Sequence, residues 1–164
     1  HLIVGAMRSA NAVVTTYSGF ARENSVLPWK YRRLDPSPDC PRECVTINGN
    51  FVLIPNGIAQ KVGNINPAYI QLHADLELGL RARRMNARNW IMPGYAGTCE
   101  ANLTGRQNWR APGLTLRERL RRMQHPLGDP LKPSIAYARN YGPWAPILVA
   151  APYISLLLVA ASKQ

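Results

Sequence analysis

The sequence predicts a mostly irregular, partly α-helical chain with no independent globular core. Two helices, one short β-hairpin and long extended arms are expected, with a single transmembrane helix at the C-terminal end. Three observations lead there. The 14 prolines and 12 glycines among 164 residues are spread along the chain, so regular elements between them are short. The apolar residues gather at the two ends, in residues 1–20 and 144–161, leaving the middle little to bury. The final apolar run, Trp144 to Ala161, carries no charge.

That run sets the functional expectation. At about 1.5 Å per residue its 18 residues reach about 27 Å, near the roughly 30 Å hydrocarbon core of a bilayer. Pro146 falls in the first turn, where a missing N–H is harmless, whereas Pro152 kinks the helix. Trp144 and Tyr141 stand where an interfacial aromatic belt belongs. The competing reading is an apolar helix buried against partner subunits.

Taken in order, residues 1–43 form an extended N-terminal arm. Its first 21 residues are acid-free, with Arg8 the only full charge, which suits an apolar arm laid on a neighbour. The chain starts at His1, for which a cleaved targeting segment is the expected explanation and an incomplete sequence the alternative. Pro28, Pro36, Pro38 and Pro41 exclude a long helix from residues 22–43. Trp29 stands there beside Lys30, Arg32 and Arg33, as an anchor on a partner.

Residues 44–143 form a small α+β peripheral region. Asn48-Gly49 between two β-rich runs signals a hairpin over 44–58, since a type I′ turn needs positive φ at both positions. A helix is expected over 67–88, with Asn66 as N-cap, Pro67 at the first position and Tyr69, Leu72, Leu76 and Leu80 on one stripe. His73 on its flank has no metal-ligand or catalytic partner at helical spacing, and no role is assigned to it. Residues 89–113 read as one long irregular loop in which Trp90 and Trp109 anchor to another subunit. Asn102-Leu103-Thr104 matches a glycosylation sequon, a weak pattern without a secretory route. A short basic helix over 116–125 follows, with Thr115 and Glu118 as a capping box and Pro126 as its stop.

The formal net charge is +11, with 16 Arg against 4 Lys. Acidic lipid, acidic partner subunits and RNA are the candidate targets. Arg117, Arg119, Arg121, Arg122 and Arg139 lie just ahead of the apolar tail and are expected to contact lipid headgroups or a partner. Trp29, Trp90, Trp109 and Trp144 are the expected interface anchors.

Three cysteines are too few for a disulfide scaffold. Cys40 and Cys44 could close a local disulfide in an oxidising compartment, although plain thiols are the simpler state. A small metal or redox protein built on Cys40, Cys44 and Cys99 is a third, weaker reading, because a zinc site needs four ligands and the rest are scattered. No phosphate loop, zinc-protease motif, nucleophile elbow or paired-carboxylate signature occurs. No catalytic residue, metal or cofactor is assigned, and no enzyme is expected.

These features together resemble, in composition only, supernumerary subunits of organellar membrane complexes. The expectation is a non-catalytic accessory subunit of an energy-converting membrane complex, a mitochondrial respiratory chain complex or ATP synthase, acting in assembly and stability. Basic residues precede the tail and only Lys163 follows it, which places the bulk on the matrix side of the inner membrane, or the stromal side of a plastid thylakoid. The alternative is a basic structural protein of an organellar ribosome, binding rRNA through extended arms.

Overall fold

The structure, a computed structural model, describes residues 1–11, 14–24, 26–69, 73–101 and 108–161. The chain divides into two compact units: His1–Ile65 with Asp75–Asn102, and Asn66–Ala74 with Leu103–Gln164. The expectation of a mostly irregular chain without a core is overturned. The first unit is globular, a mixed five-stranded sheet curved into a half-barrel with helices against it.

The unit's strands are β1 (Leu2–Arg8), β2 (Thr15–Tyr17), β3 (Phe20–Arg22), β4 (Tyr31–Arg33), β5 (Arg42–Cys44), β6 (Val52–Leu53) and β7 (Asn89–Thr98); of these, β3 and β4 pair only with each other, as a separate two-stranded sheet, and the other five make the main sheet. Strand β1, expected to be an apolar arm, is the centre of the sheet. It runs parallel to β7 on one side and antiparallel to β2 and β6 on the other. Leu2, Val4 and Ala6 are fully buried, and with Ile91, Ile47, Leu34 and Cys44 they form the core. Each such side chain, fully buried, contributes on the order of 1.5–3 kcal/mol when it is as large as Leu or Ile. From Leu2 to Met7 no position of β1 is exposed, so both faces are covered and the strand's sequence reads as a plain apolar run.

The expected 44–58 hairpin does not form. Neither Asn48 nor Gly49 takes a positive φ. Thr46 bridges to Phe20, and Val52–Leu53 pairs with β1. Residues Asn56–Val62 are helix α1, entered from Pro55. The 46–49 segment is captured by helix α2 (Ala74–Arg84). Thr46 Oγ1 donates to Leu76 O at 2.6 Å, and Asp75 Oδ2 accepts from Gly49 N at 2.8 Å. Gly79 permits this approach, since a Cβ there would lie 2.6 Å from Thr46 Oγ1 and 2.9 Å from Ile47 N.

The helix expected from Pro67 starts at Ala74 instead. Asn66 caps a separate turn, accepting from Ala68 N at 2.9 Å, and His73 sits at φ +66°, which no helix accommodates. Leu72, placed on the helical stripe by the sequence, lies outside the described residues, as do Lys163 and the Asn102–Thr104 sequon.

Residues 89–98, expected as loop, are β7. Pro93 follows the last pair with β5, at Ile91, and Gly94 takes φ +64° where the β1 register slips. Asn89 is fully buried and pins the strand's start, donating from Nδ2 to Val45 O at 3.1 Å and Gly79 O at 3.0 Å.

The second unit holds helices α3 (Leu116–Met123), α4 (Leu131–Ala138) and α5 (Ala145–Ala161), with a 3₁₀ turn over Arg139–Trp144. The capping box on α3 is present. Thr115 Oγ1 accepts from Glu118 N at 3.3 Å, and Glu118 Oε2 accepts from Thr115 N at 2.8 Å. Gly142, at φ 55° and ψ −121°, breaks the apolar stretch, and α4 packs against α5 across that bend.

Candidate functional site

Helix α5 contains no charged residue over its 17 positions, about 25 Å at helical rise. Leu131–Val159, taken through the Gly142 bend, is long and apolar enough by length and composition to cross a membrane, and almost none of its most apolar window is buried. One side of α5 is packed: Leu156 is 2% exposed against Trp109 and Met123, and Tyr153 packs beside it. Gln124 Nε2 donates to Tyr153 OH at 2.9 Å. The other side presents Ile147 (53% exposed), Ile154 (56%), Leu157 (62%) and Leu158 (65%). Aliphatic side chains at this spacing make a continuous uncovered stripe.

The five arginines expected at headgroups are not equivalent. Arg117, Arg121 and Arg139 are exposed and Arg122 is half-buried. Arg119 departs from the expectation, being 1% exposed. Its Nη1 donates to Trp109 O at 2.7 Å and its Nε to Leu114 O at 3.2 Å, so it ties the Trp109 loop to α3. The sequence reading spread the arginines over the faces away from Leu116, Leu120 and Met123 without telling them apart, and only the tertiary contact singles out Arg119. Glu118 has its carboxyl held below the usual range by hydrogen bonds from the Thr115 hydroxyl and amide, then by Arg122 and Arg121.

Of the expected tryptophan anchors, Trp109 is an internal one. It is buried, its Nε1 donates to Asp129 Oδ2 at 2.6 Å, and Arg110 stacks 3.9 Å above its ring. Trp29 and Trp90 are half-buried in the first unit, with His1 edge-on to Trp90 at 6.4 Å. Trp144 is exposed at the start of α5.

No bond joins Cys40 to Cys44; both thiols are free. Cys40 is exposed, with its Sγ 3.2 Å from Ser37 Oγ. Cys44 belongs to the core, and burial pushes its thiol up to about 12. Cys99 lies apart, its Sγ accepting from Asn50 Nδ2 at 3.5 Å. Among the described residues no group of three or more His, Cys, Asp or Glu converges as a metal would require.

The second unit also assembles a cluster that the sequence did not reveal. His73 stacks on Tyr137 at 4.0 Å and 8°, and Tyr141 OH donates to Tyr137 OH at 2.6 Å. Burial lowers the His73 imidazole to about 4, against a smaller upward pull from Asp129, and its Nδ1 is buried without a hydrogen-bond partner. Neutral imidazole stacked on phenol is a packing arrangement at ordinary pH. The one local hint was the spacing of Tyr137 and Tyr141 at i and i+4, which brings them together on a continued helix. In the first unit, an apolar cavity of about 290 Å³ opens between Leu2, Ile54, Val62, Ile65 and Leu78.

Comparison with protein-family models, with curated proteins and with solved structures finds no match to this chain.

Proposed function

We propose that this protein is a membrane-anchored, non-catalytic accessory subunit of a larger membrane assembly. The observation that carries the reading is the uncovered stripe Ile147, Ile154, Leu157 and Leu158 on an uncharged helix. Left in water, such a surface opposes solubility; placed among acyl chains it costs nothing. Exposed Arg117, Arg121 and Arg139 supply headgroup contacts beside it, each on the order of 1 kcal/mol at an anionic surface. The basic composition fits an organellar energy-converting membrane, with the mitochondrial inner membrane as the first candidate and the bulk of the chain on the matrix side.

Full crossing of the bilayer has a structural consequence. Arg110 and Arg119 are both attached at Trp109, which packs on Leu156, about 17 Å along α5 from Ala145. An arginine at the bilayer centre costs about 2.5–3.5 kcal/mol on insertion scales. Crossing therefore requires α5 to leave the Trp109–Met123 contact. Carbonate extraction of the native membrane tests the anchor: retention in the pellet is expected, and release into the soluble fraction overturns it. A short bifunctional maleimide joining Met123→Cys to Leu156→Cys in the membrane would show α5 still lying on its own unit, and so not crossing.

A further inference from the structure

We infer that Arg8, Arg33 and Arg42, brought together in the first unit through Thr15, Asp35 and Tyr95, form a binding site for a phosphate-type oxyanion. This site lies wholly in the first unit and does not depend on the role of α5. Five strands contribute to it. Arg8 ends β1 and pairs with Thr15 of β2; Arg33 ends β4; Arg42 begins β5; and Tyr95 comes from β7.

Two of the guanidinium groups are held directly by Thr15 and Asp35, and the third reaches them through Tyr95. Arg33 Nη1 donates to Thr15 O at 3.1 Å, and Arg42 Nη1 donates to Asp35 O at 3.1 Å. Arg8 lies 5.6 Å over the ring of Tyr95, whose OH is 2.8 Å from Thr15 Oγ1. Thr15 donates its hydroxyl proton to Asp35 Oδ1, so Tyr95 must donate to Thr15. Phe20 supports Arg33 from 5.8 Å.

This arrangement differs from a solvated charge run. Among the described residues the ion pairs are Arg81 and Arg84 with Glu77, and Arg83 with Glu43. None involves Arg8, Arg33 or Arg42. Each of the three is held by a carbonyl or an aromatic face, and a guanidinium with five N–H donors keeps most of them free. Held donors lose little freedom on binding, and they suit bidentate capture of phosphate oxygens. The hydroxyl protons of Thr15 and Tyr95 are committed within the cluster, so the arginines do the reading. Asp35 is the opposing charge inside the hydrogen-bonded cluster, and Glu100, which accepts from Ala10 N at 2.7 Å, lies near the Arg8 end.

The test is calorimetric titration of the full chain in detergent with inorganic pyrophosphate at low ionic strength. Saturable one-to-one binding is expected. Arg33→Gln with Arg42→Gln weakens it about tenfold or more, as loss of charge-assisted hydrogen bonds implies. Asp35→Asn tightens it, and Arg88→Gln, exposed beside Leu2 at the other end of β1, leaves it unchanged. Because Arg33 and Arg42 are exposed, the single Arg42→Gln variant keeps the fold intact if the double one does not. Glycerol phosphate and phosphatidate vesicles, compared as competitors of pyrophosphate, separate a soluble phosphate ester from a lipid headgroup as the source. Absence of saturable binding overturns the inference, as does equal loss with Arg88→Gln. Binding of an RNA oligonucleotide that pyrophosphate cannot displace overturns it in favour of a nucleic-acid face.

Discussion

Replacing Ile154 by arginine separates an anchored α5 from an exposed helix of a soluble protein. Ile154 is 56% exposed and lies about 14 Å along α5 from Ala145, near the middle of the helix. In water an arginine there keeps its charge hydrated, and a surface change of this kind stays within about 0.5 kcal/mol. At the centre of a bilayer the same residue costs about 2.5–3.5 kcal/mol. At 1.36 kcal/mol per decade that shifts the membrane partition ratio by roughly 70- to 400-fold. The assay is flotation of the purified chain with liposomes after detergent removal. Val26→Arg is the control, since Val26 is at least as exposed but belongs to the first unit. Ile154→Arg should remain at the bottom of the gradient while Val26→Arg floats with the parent. If Ile154→Arg floats as well as the parent, α5 does not enter the acyl region and the reasoning fails.

Three further outcomes follow from the geometry. His73 has its pKa lowered from 6.5 to about 4 by burial, so the unfolded chain binds the proton more readily. Its contribution to stability, up to about 3 kcal/mol, is full above pH 6.5 and is lost as pH falls through 4, a slope that urea melts of His73→Phe should not show. Cys44, raised to about 12, should resist iodoacetamide at pH 8 while Cys40 reacts, and should become reactive only on denaturation, as mass spectrometry of the adducts will show. Gly79→Ala puts a Cβ within 3.0 Å of the Thr46–Ile47 backbone and should destabilise the first unit by about 1–3 kcal/mol in thermal melts.

The elements legible in the sequence are those whose cause is local. The Thr115–Glu118 capping box and the Pro126 stop are satisfied within one turn, and α3 appears where they place it. The uncharged tail forms α5 for the same reason. The sheet was not legible because its decisive pairing is β1 with β7, which begin at Leu2 and Asn89. Nothing in LIVGAM names its partner, and Pro93 with Gly94 disguised β7 as loop although the β5 pairing ends before them. Asn48-Gly49 misled because a turn signal fixes a turn only if the runs beside it pair with each other. Here β1 and α2 compete for those runs and win. The oxyanion site was missed for a related reason: its arginines are spread from residue 8 to residue 42, and only closure of the sheet brings their linking residues together.

The first unit also bears on the tail. Its core is filled by residues of β1, β5, β7, α1 and α2 with Leu34, Ile47 and Ala87, and α5 supplies none of them. In the second unit α5 contributes Leu156 and Tyr153 to the contact with Trp109 and Met123. A helix selected only to complete that small cluster would need two or three apolar positions on one face. The opposite face would then drift toward polar residues, since exposed aliphatic side chains give a soluble fold nothing and promote association. Instead Ile147, Ile154, Leu157 and Leu158 are aliphatic on the uncovered face, and no charge interrupts the helix. Internal packing accounts for one side of α5; the aliphatic residues on the other side are what the proposed anchor rests on, and the Ile154→Arg flotation decides whether acyl chains or a partner subunit cover them.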